Sequence, residues 1–587
     1  MGKKDDRRAR KAKAAGRDHP RRHGESPRPA KAGDKTDRRA GTKVKAAKRH
    51  DPRRNGHDKA LKGSTPAKAT ETVDPTVAVG PIVTVTPDPW RSGGGKRRAP
   101  KRPHLNGISE IRAYLRTNQT PIHFISPTPF NLLGLDRWVR NLYFIGYYDC
   151  FEGSHPRAFV PNERPWREFQ SIEEINAYLL GHKEVGDFIR SKGPGGLATF
   201  LMFDEEEERL APELGLRIIH PSAALRHRVD SKTVTVRLGN DAGIPSAPNV
   251  LGRATSYREL LDRARKGGLG EDLVVQAPYG DSGRTTYFIK TERDWKKAEK
   301  TIAAEPEVKI MRRLNCRSTA IEATITRHGT IVGPLMTELI GHKELTPYKG
   351  GWCGNDMWPG VLSEHHRRRA RKYVRRLGDR LAKEGYRGYF EVDVLADIDS
   401  GELYLGEINP RISGVTSMTN ATAGAYADLP LFGFHLLEFM DVDYEIDVDD
   451  INHRWAQAET VDVWSQLIIK EPEDRVELLT STPRTGVWRI DPLTGRIHFG
   501  RWANDWHSIV DEDEAFFLRI LPTDDYRYKG ADLGVLVSKS RMQTDDFTLT
   551  ERSRQWIAGI RDQYAGTPVT KEEAPRRKRE PFAFKFA

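Results

Sequence analysis

The stretch from Phe390 to Arg411, FEVDVLADIDSGELYLGEINPR, constrains this chain more than any other. Its first half alternates Phe390, Val392 and Val394 with Glu391, Asp393 and Leu395, the period of a strand with one apolar face. DIDSG then supplies a turn, and the chain returns through Leu403-Tyr404-Leu405 to Glu407, Asn409 and Arg411. A hairpin centred on Ser400 sets Asp393 opposite Glu407. Two carboxylates about 5 Å apart on a half-buried face repel each other. A divalent cation relieves that repulsion, and an oxygen set of Asp393, Glu407 and Asn409 suits Mg²⁺, with Arg411 beside it for an anion. The competing reading is an edge hairpin with its polar side in water.

The rest of the chain must then supply a body that half-buries this hairpin. Helix-period and strand-period segments alternate from about 104 to 225: GISEIRAYLR and SIEEINAYLLGHKEVGDFI as helices, PIHFISP, NLYFIGYYD, LATFLMF and GLRIIH as strands. That pattern predicts a small α/β domain with a parallel sheet. A second block, 226–445, opens with a helix ending at Gly243. It continues with the strand-turn-strand DLVVQAPYGDSGRTTYFIK, two strands turning at His328-Gly329, and a helix with Ala370, Val374, Leu377 and Leu381 on one face. The arginines of that helix are expected on its wet side. From 446 to 566 short β runs broken by Pro/Gly turns predict a β-rich domain, and 567–587 a loose end.

Charge sorts the chain in another way. The formal net charge is +14, yet residues 1–60 hold 22 Lys/Arg against 8 Asp/Glu, which leaves 74 of each sign in the remainder. A tail of Lys, Arg, Ala, Gly and Pro over 1–103 is expected to be disordered. It is suited either to solvation or to non-specific contact with a polyanion. No apolar run approaches the roughly 20 residues that cross a bilayer, and no secretory signal is expected. Cys150, Cys316 and Cys353 lack CxxC spacing, which argues against a disulfide framework or zinc cluster and for a reducing, cytoplasmic setting.

In VVQAPYGDSGRTTYF, Gly280 and Gly283 lie between two strands with Ser282, Thr285 and Thr286 nearby. Such a turn aims N–H groups and hydroxyls at phosphate oxygens, or is simply a turn. It is no P-loop, since GxxxxGK[ST] is missing. Cys353, in KGGWCGNDMWPG, is a second candidate, as a nucleophile or within a loop that serves as a lid or substrate contact. His342, His365 and His366 read as ordinary surface or core histidines.

Taken in order, DSKTVTVRLGNDAGIPSAPN, DLVVQAPYGDSGRTTYF, KIMRRL before AIEATI, and EVDVL…GELYLGEINPR resemble the ATP-grasp superfamily, over about residues 105–565. The resemblance implies a pre-ATP-grasp α/β domain (104–225), a two-subdomain ATP-grasp fold (226–445) and a β-rich C-terminal region, an α/β and α+β architecture overall. It implies ATP and Mg²⁺, with Mn²⁺ as a substitute. Lys232 would reach the phosphates together with the turn Gly280, Ser282, Gly283, Arg284 and Thr285. The Arg312-Arg313-Leu314 backbone would meet adenine. Asp393, Glu407 and Asn409 would ligate the metal, and Arg411 would steady an acyl phosphate or oxyanion. Gln276 stands where the family carries a second phosphate-facing lysine, and Arg284 is a substitute cation.

The branch resembled is the biotin carboxylases. However, RISGVTSMTNATAG lacks the acid that follows the arginine in those enzymes, and reads more like the amide-forming members. The expectation is therefore a carboxylate–amine ligase with small-molecule acid and amine substrates, with a homodimer as one allowed assembly. A biotin-carboxylase-like enzyme and a catalytically decayed nucleotide-binding scaffold are the alternatives.

Overall fold

The structure is a computed structural model that describes residues 102–162, 169–280 and 285–569. Residues 1–101 of the expected tail, Ser282, Gly283, Arg284 and residues 570–587 lie outside the described residues.

Five parallel strands form the first sheet, in the spatial order Ala158–Phe159, Leu142–Ile145, Ile122–Ile125, Gly196–Phe200, Leu216–Ile218. Ile122–Ile125 is buried at every residue, as expected of a parallel strand covered on both faces. The covering helices start on side-chain caps: Ser171 Oγ accepts from Glu174 N, and Asp204 and Glu207 form a reciprocal capping box.

A four-stranded antiparallel sheet follows, ordered Asn249–Gly252, Val308–Arg312, Leu273–Gln276, Thr286–Ile289. Its alternation is strict. Leu273, Val275, Val308 and Ile310 pack under helices Tyr257–Lys266 and Glu292–Ala304, through Leu260, Ala264, Trp295 and Ile302. Val274, Gln276, Lys309 and Met311 therefore face the other way.

Ten antiparallel strands make the large sheet. It starts Leu403–Asn409, Gly388–Asp397, Cys316–Thr326, Gly329–Ile340, Trp352–Met357 and continues through Trp464–Lys470 and Asp532–Ser538 to Ile497–Arg501. One face of its first half packs on helix Glu364–Lys383, whose Ala370, Val374, Leu377 and Leu381 are fully buried. Arg371 departs from the wet-face expectation: it is buried, and it donates to Glu459 at 3.0 Å and to the Gly333 and Val332 carbonyls. A guanidinium tolerates such a place only with its donors matched in this way.

The boundary drawn at 446 falls inside this one sheet, because Gly354–Met357 pairs with Trp464–Leu467. Trp464–Lys470 is buried along its whole length, so it extends the sheet and covers what would be an open edge. At the far end, Ala565–Pro568 still pairs with Val476–Ser481, so order persists past 567. Among the described residues no helix is long and apolar enough to cross a membrane.

Candidate active site

Where the outward face of the four-stranded sheet looks onto the open face of the large sheet, they enclose a cavity of about 350 Å³. The acid hairpin is its floor. Glu391 pairs with Asn409 and Val392 with Ile408, the register that turn-centred counting gives. One step further the register shifts, so that Gly406 and Glu407 together oppose Asp393 and Val394 meets Leu405. This is a β-bulge, a common device for re-aiming a side chain beside a site. Gly406 permits the close approach: a Cβ there would lie 3.1 Å from both Asp393 Cβ and the Asp393 carbonyl oxygen. Val392, Val394, Leu405 and Ile408 point into the core, which leaves Glu391, Asp393, Glu407 and Asn409 on the cavity side.

Two lysines reach this floor. Lys232 begins helix Lys232–Asp241, where the helix dipole disfavours a cation. Its Nζ lies 3.1 Å from Glu407 Oε2 and donates to the Gly280 carbonyl at 2.8 Å. Gly280 has φ of +138°, and a Cβ there would sit 2.2 Å from Thr285 Oγ1, so only glycine fits. Lys309 is the second residue of strand Val308–Arg312. It is 1% exposed, and its Nζ donates to the Gly406 carbonyl at 3.0 Å. Gln276 Nε2 donates to Thr286 Oγ1 at 3.2 Å.

Arg411, 4% exposed, closes one end; its Nη2 donates to Asn409 Oδ1 at 3.0 Å. Asn409 Nδ2 in turn donates to Glu391 Oε2 at 2.5 Å. At the other end the backbone of Arg312 and Arg313 is held by Pro248 and Asp272 carbonyls, each at 3.0 Å. The Arg313 guanidinium lies over the Phe288 ring, 5.1 Å from its centroid. Arg312, Arg313 and Leu314 all line the cavity.

Acids outnumber ionic partners here. Burial pushes the Asp393 carboxyl well up, and Glu391, Glu338 and Glu407 push it further. Burial likewise raises Glu391 and Glu338. Glu407 goes the other way: against its burial, Lys232 holds it below the usual carboxylate range. Burial lowers the Lys309 ammonium to about 8, with Glu407 opposing and Lys232 assisting. Lys232 thus neutralises Glu407, while burial favours a proton on Asp393.

Among the described residues no three Asp, Glu, His or Cys side chains converge in an arrangement that would hold a metal ion. The sequence-derived set of two acids and one amide has Lys232 on Glu407 and Arg411 on Asn409 Oδ1. The floor nevertheless fits a hard divalent cation: Glu391 Oε1 is buried against the Asp393 carboxyl, and no amide, hydroxyl or ammonium donates to it. Two oxygens with no donor between them call for a proton or a cation.

The cavity brings together Lys232, Gln276, Gly280, Arg312, Arg313, Leu314, Asp393, Glu407, Asn409 and Arg411. Thr285 lies beside Gly280. Glu338, Glu391 and Lys309 were missed as site residues, although a lysine inside the apolar run VKIM is a signal in itself. Cys353 is no part of a lid. It sits in the Trp352–Met357 strand, fully buried, donating to the Leu339 carbonyl, and burial pushes its thiol up to about 12. A thiol so held is no nucleophile. Cys353→Ala is expected to leave any nucleotide-dependent turnover within about twofold, measured as phosphate release.

No family model matches the sequence, and no curated protein matches it. Solved structures do. Biotin carboxylase from Campylobacter jejuni, in complex with βγ-ATP, is 12% identical, covering 76% of this chain and 92% of its own, with a TM-score of 0.50. The biotin carboxylase domain of Hydrogenobacter thermophilus 2-oxoglutarate carboxylase, a dimer with MgADP, ADP and bicarbonate, is 12% identical over 76% of this chain and 91% of its own, with a TM-score of 0.49. Carboxyaminoimidazole ribonucleotide synthase from Aspergillus clavatus, with ATP, is 13% identical over 76% and 100%, with a TM-score of 0.44. At such identities the likeness speaks to fold alone: the chain has the ATP-grasp fold.

Proposed function

We propose that this protein is an ATP-dependent ligase which activates a carboxylate as an acyl phosphate and passes it to an amine, releasing ADP and phosphate. The observation that carries this reading is the bulged acid hairpin under a roof of buried lysine. Glu407, Asp393 and Glu391 face Lys232 across the cavity between two sheets, with Arg411 at the end.

In this reading the Arg312–Leu314 segment meets the base and Lys232 leaves Glu407 for a phosphate oxygen. Asp393, Glu407 and Asn409 would hold Mg²⁺, and Glu391 would offer a further oxygen. When bound, the metal neutralises the phosphates and the acids together. Arg411 presents a fixed guanidinium to the charge that develops on the transferred group or the oxyanion. The solved structures of like fold contain ATP, ADP or MgADP, which supports the choice of nucleotide. The segment 411–424 carries no carboxylate or imidazole to act as a general base, and its Ser413 and Thr416 donate their hydroxyls to Glu322.

The test is phosphate release from Mg-ATP against a panel of acid and amine pairs, and separately against bicarbonate with biotin. Release with an acid–amine pair supports the ligase. Release only with bicarbonate and biotin makes it a carboxylase, and binding without release for any pair makes it a scaffold. For Arg411→Met we expect turnover to fall about 100-fold or more, while nucleotide affinity changes by less than about threefold. An equal loss in both would mean that Arg411 binds the ground state.

A further inference from the structure

Resting on the nucleotide reading above, we propose that Lys309 is a second phosphate-binding cation of the cavity, delivered from the strand next to Gln276.

Lys309 and Gln276 are direct partners across antiparallel strands, so their side chains leave the same face of the sheet side by side. That face lines the cavity, and the flanking Val308 and Ile310 point into the core beneath the helices. The Gln276 amide is neutral and engaged with Thr286, so the charge at this place on the roof belongs to Lys309.

Charge balance points the same way. The Lys309 ammonium is almost wholly removed from water, and its acceptor is a neutral carbonyl, that of Gly406. The acid that acts on it most strongly, Glu407, is already paired with Lys232 at 3.1 Å. Two buried ammoniums thus share the influence of one carboxylate. An ammonium offers three donors in a compact point charge, and burial without a full counter-charge is costly. A polyphosphate entering between roof and floor meets both lysines at once, and Lys309 exchanges a carbonyl for an anion. Its purchase on the bulge residue Gly406 places it within one residue of Glu407, one of the acids that would hold the metal. AMP and adenosine lack the outer phosphates and gain nothing from it.

A purely mechanical role is the competing account: Lys309 as a strap tying the small sheet to the hairpin. Relocating the charge separates the two. Calorimetric binding of Mg-ATP, Mg-ADP and adenosine is compared for wild type, Lys309→Gln and the double variant Gln276→Lys/Lys309→Gln. We expect Lys309→Gln to weaken Mg-ATP and Mg-ADP about 10- to 100-fold and adenosine by less than about twofold. The double variant should recover most of that loss, because the lysine returns one strand over on the same face. Equal weakening of adenosine, or no recovery in the double variant alongside a lowered melting temperature, overturns the proposal in favour of the strap. Undiminished Mg-ATP binding by Lys309→Gln overturns it outright while the nucleotide reading stands. A wild-type protein that binds no nucleotide removes that reading first.

Discussion

Glu407→Gln is expected to cut Mg²⁺-dependent phosphate release by about 1,000-fold and to remove most of the magnesium dependence of ATP binding. The two parts have different origins. On the proposed reading the wild-type carboxylate would be a metal ligand, and its loss would leave Asp393 and Asn409 to hold the ion. Without metal, the same carboxylate repels the incoming phosphates and keeps Lys232 to itself at 3.1 Å. Glutamine keeps the shape but drops both effects. The variant should therefore bind metal-free ATP more tightly than wild type, and Mg-ATP less tightly. Titrating ATP with and without Mg²⁺, beside single-turnover phosphate release, measures both signs. Unaltered turnover in Glu407→Gln would falsify the assignment of the hairpin as the catalytic floor. Because the side chain lies in a cavity and not in the core, melting should shift by only a few degrees, which separates this loss from misfolding.

Much of the hairpin was legible because it is local. A turn at Ser400 and strict alternation fix which residues face each other at Glu391–Asn409 and Val392–Ile408. The one-residue bulge was not legible, since Gly406 reads as any strand glycine until the approach of Asp393 is seen. Lys309 and Glu338 lie on strands far away in sequence, and periodicity says which face a side chain takes, never what that face meets. The same limit explains the sheet boundary. Trp464–Lys470 announces itself as a strand, but nothing in its pattern tells whether it founds a new sheet or joins an old one. The parallel sheet at 122–218 was readable in its second half, where helices Ile172–Gly181, Lys183–Ser191 and Glu205–Glu213 alternate with strands Gly196–Phe200 and Leu216–Ile218. Cys353 misled in a different way: Gly350, Gly351 and Gly354 look like a loop, yet Gly354 serves at φ of +145° inside a strand, where a Cβ would lie 2.1 Å from the Gln466 carbonyl oxygen.

The largest stability effect is expected at Glu322, which never touches the cavity. It sits fully buried within Cys316–Thr326 and accepts from four hydroxyls: Tyr389, Ser413 at 3.1 Å, Thr416 at 2.5 Å and Thr419. Three of these belong to the segment that follows Arg411, so Glu322 anchors the loop that carries the guanidinium. Glu322→Ala strips four buried donors of their acceptor at about 1–3 kcal/mol each before relaxation, and a net loss of roughly 3–5 kcal/mol is expected in denaturant titrations. The pH dependence has a definite sign. Burial raises the Glu322 carboxyl to about 7 against the hydroxyls that lower it. The folded state therefore holds this proton more tightly than the unfolded chain. The contribution is fully present below the unfolded value near 4.5, and it is lost as pH rises through about 7. Glu391, Glu338 and Asp356 are raised as well and bend the wild-type profile the same way. The informative quantity is thus the difference between wild type and Glu322→Gln, which does not titrate and keeps an acceptor oxygen. That difference should favour wild type most at pH 5 and shrink steadily towards pH 8. A difference that grows with pH would mean the carboxylate is held ionised, and that the hydroxyls outweigh burial.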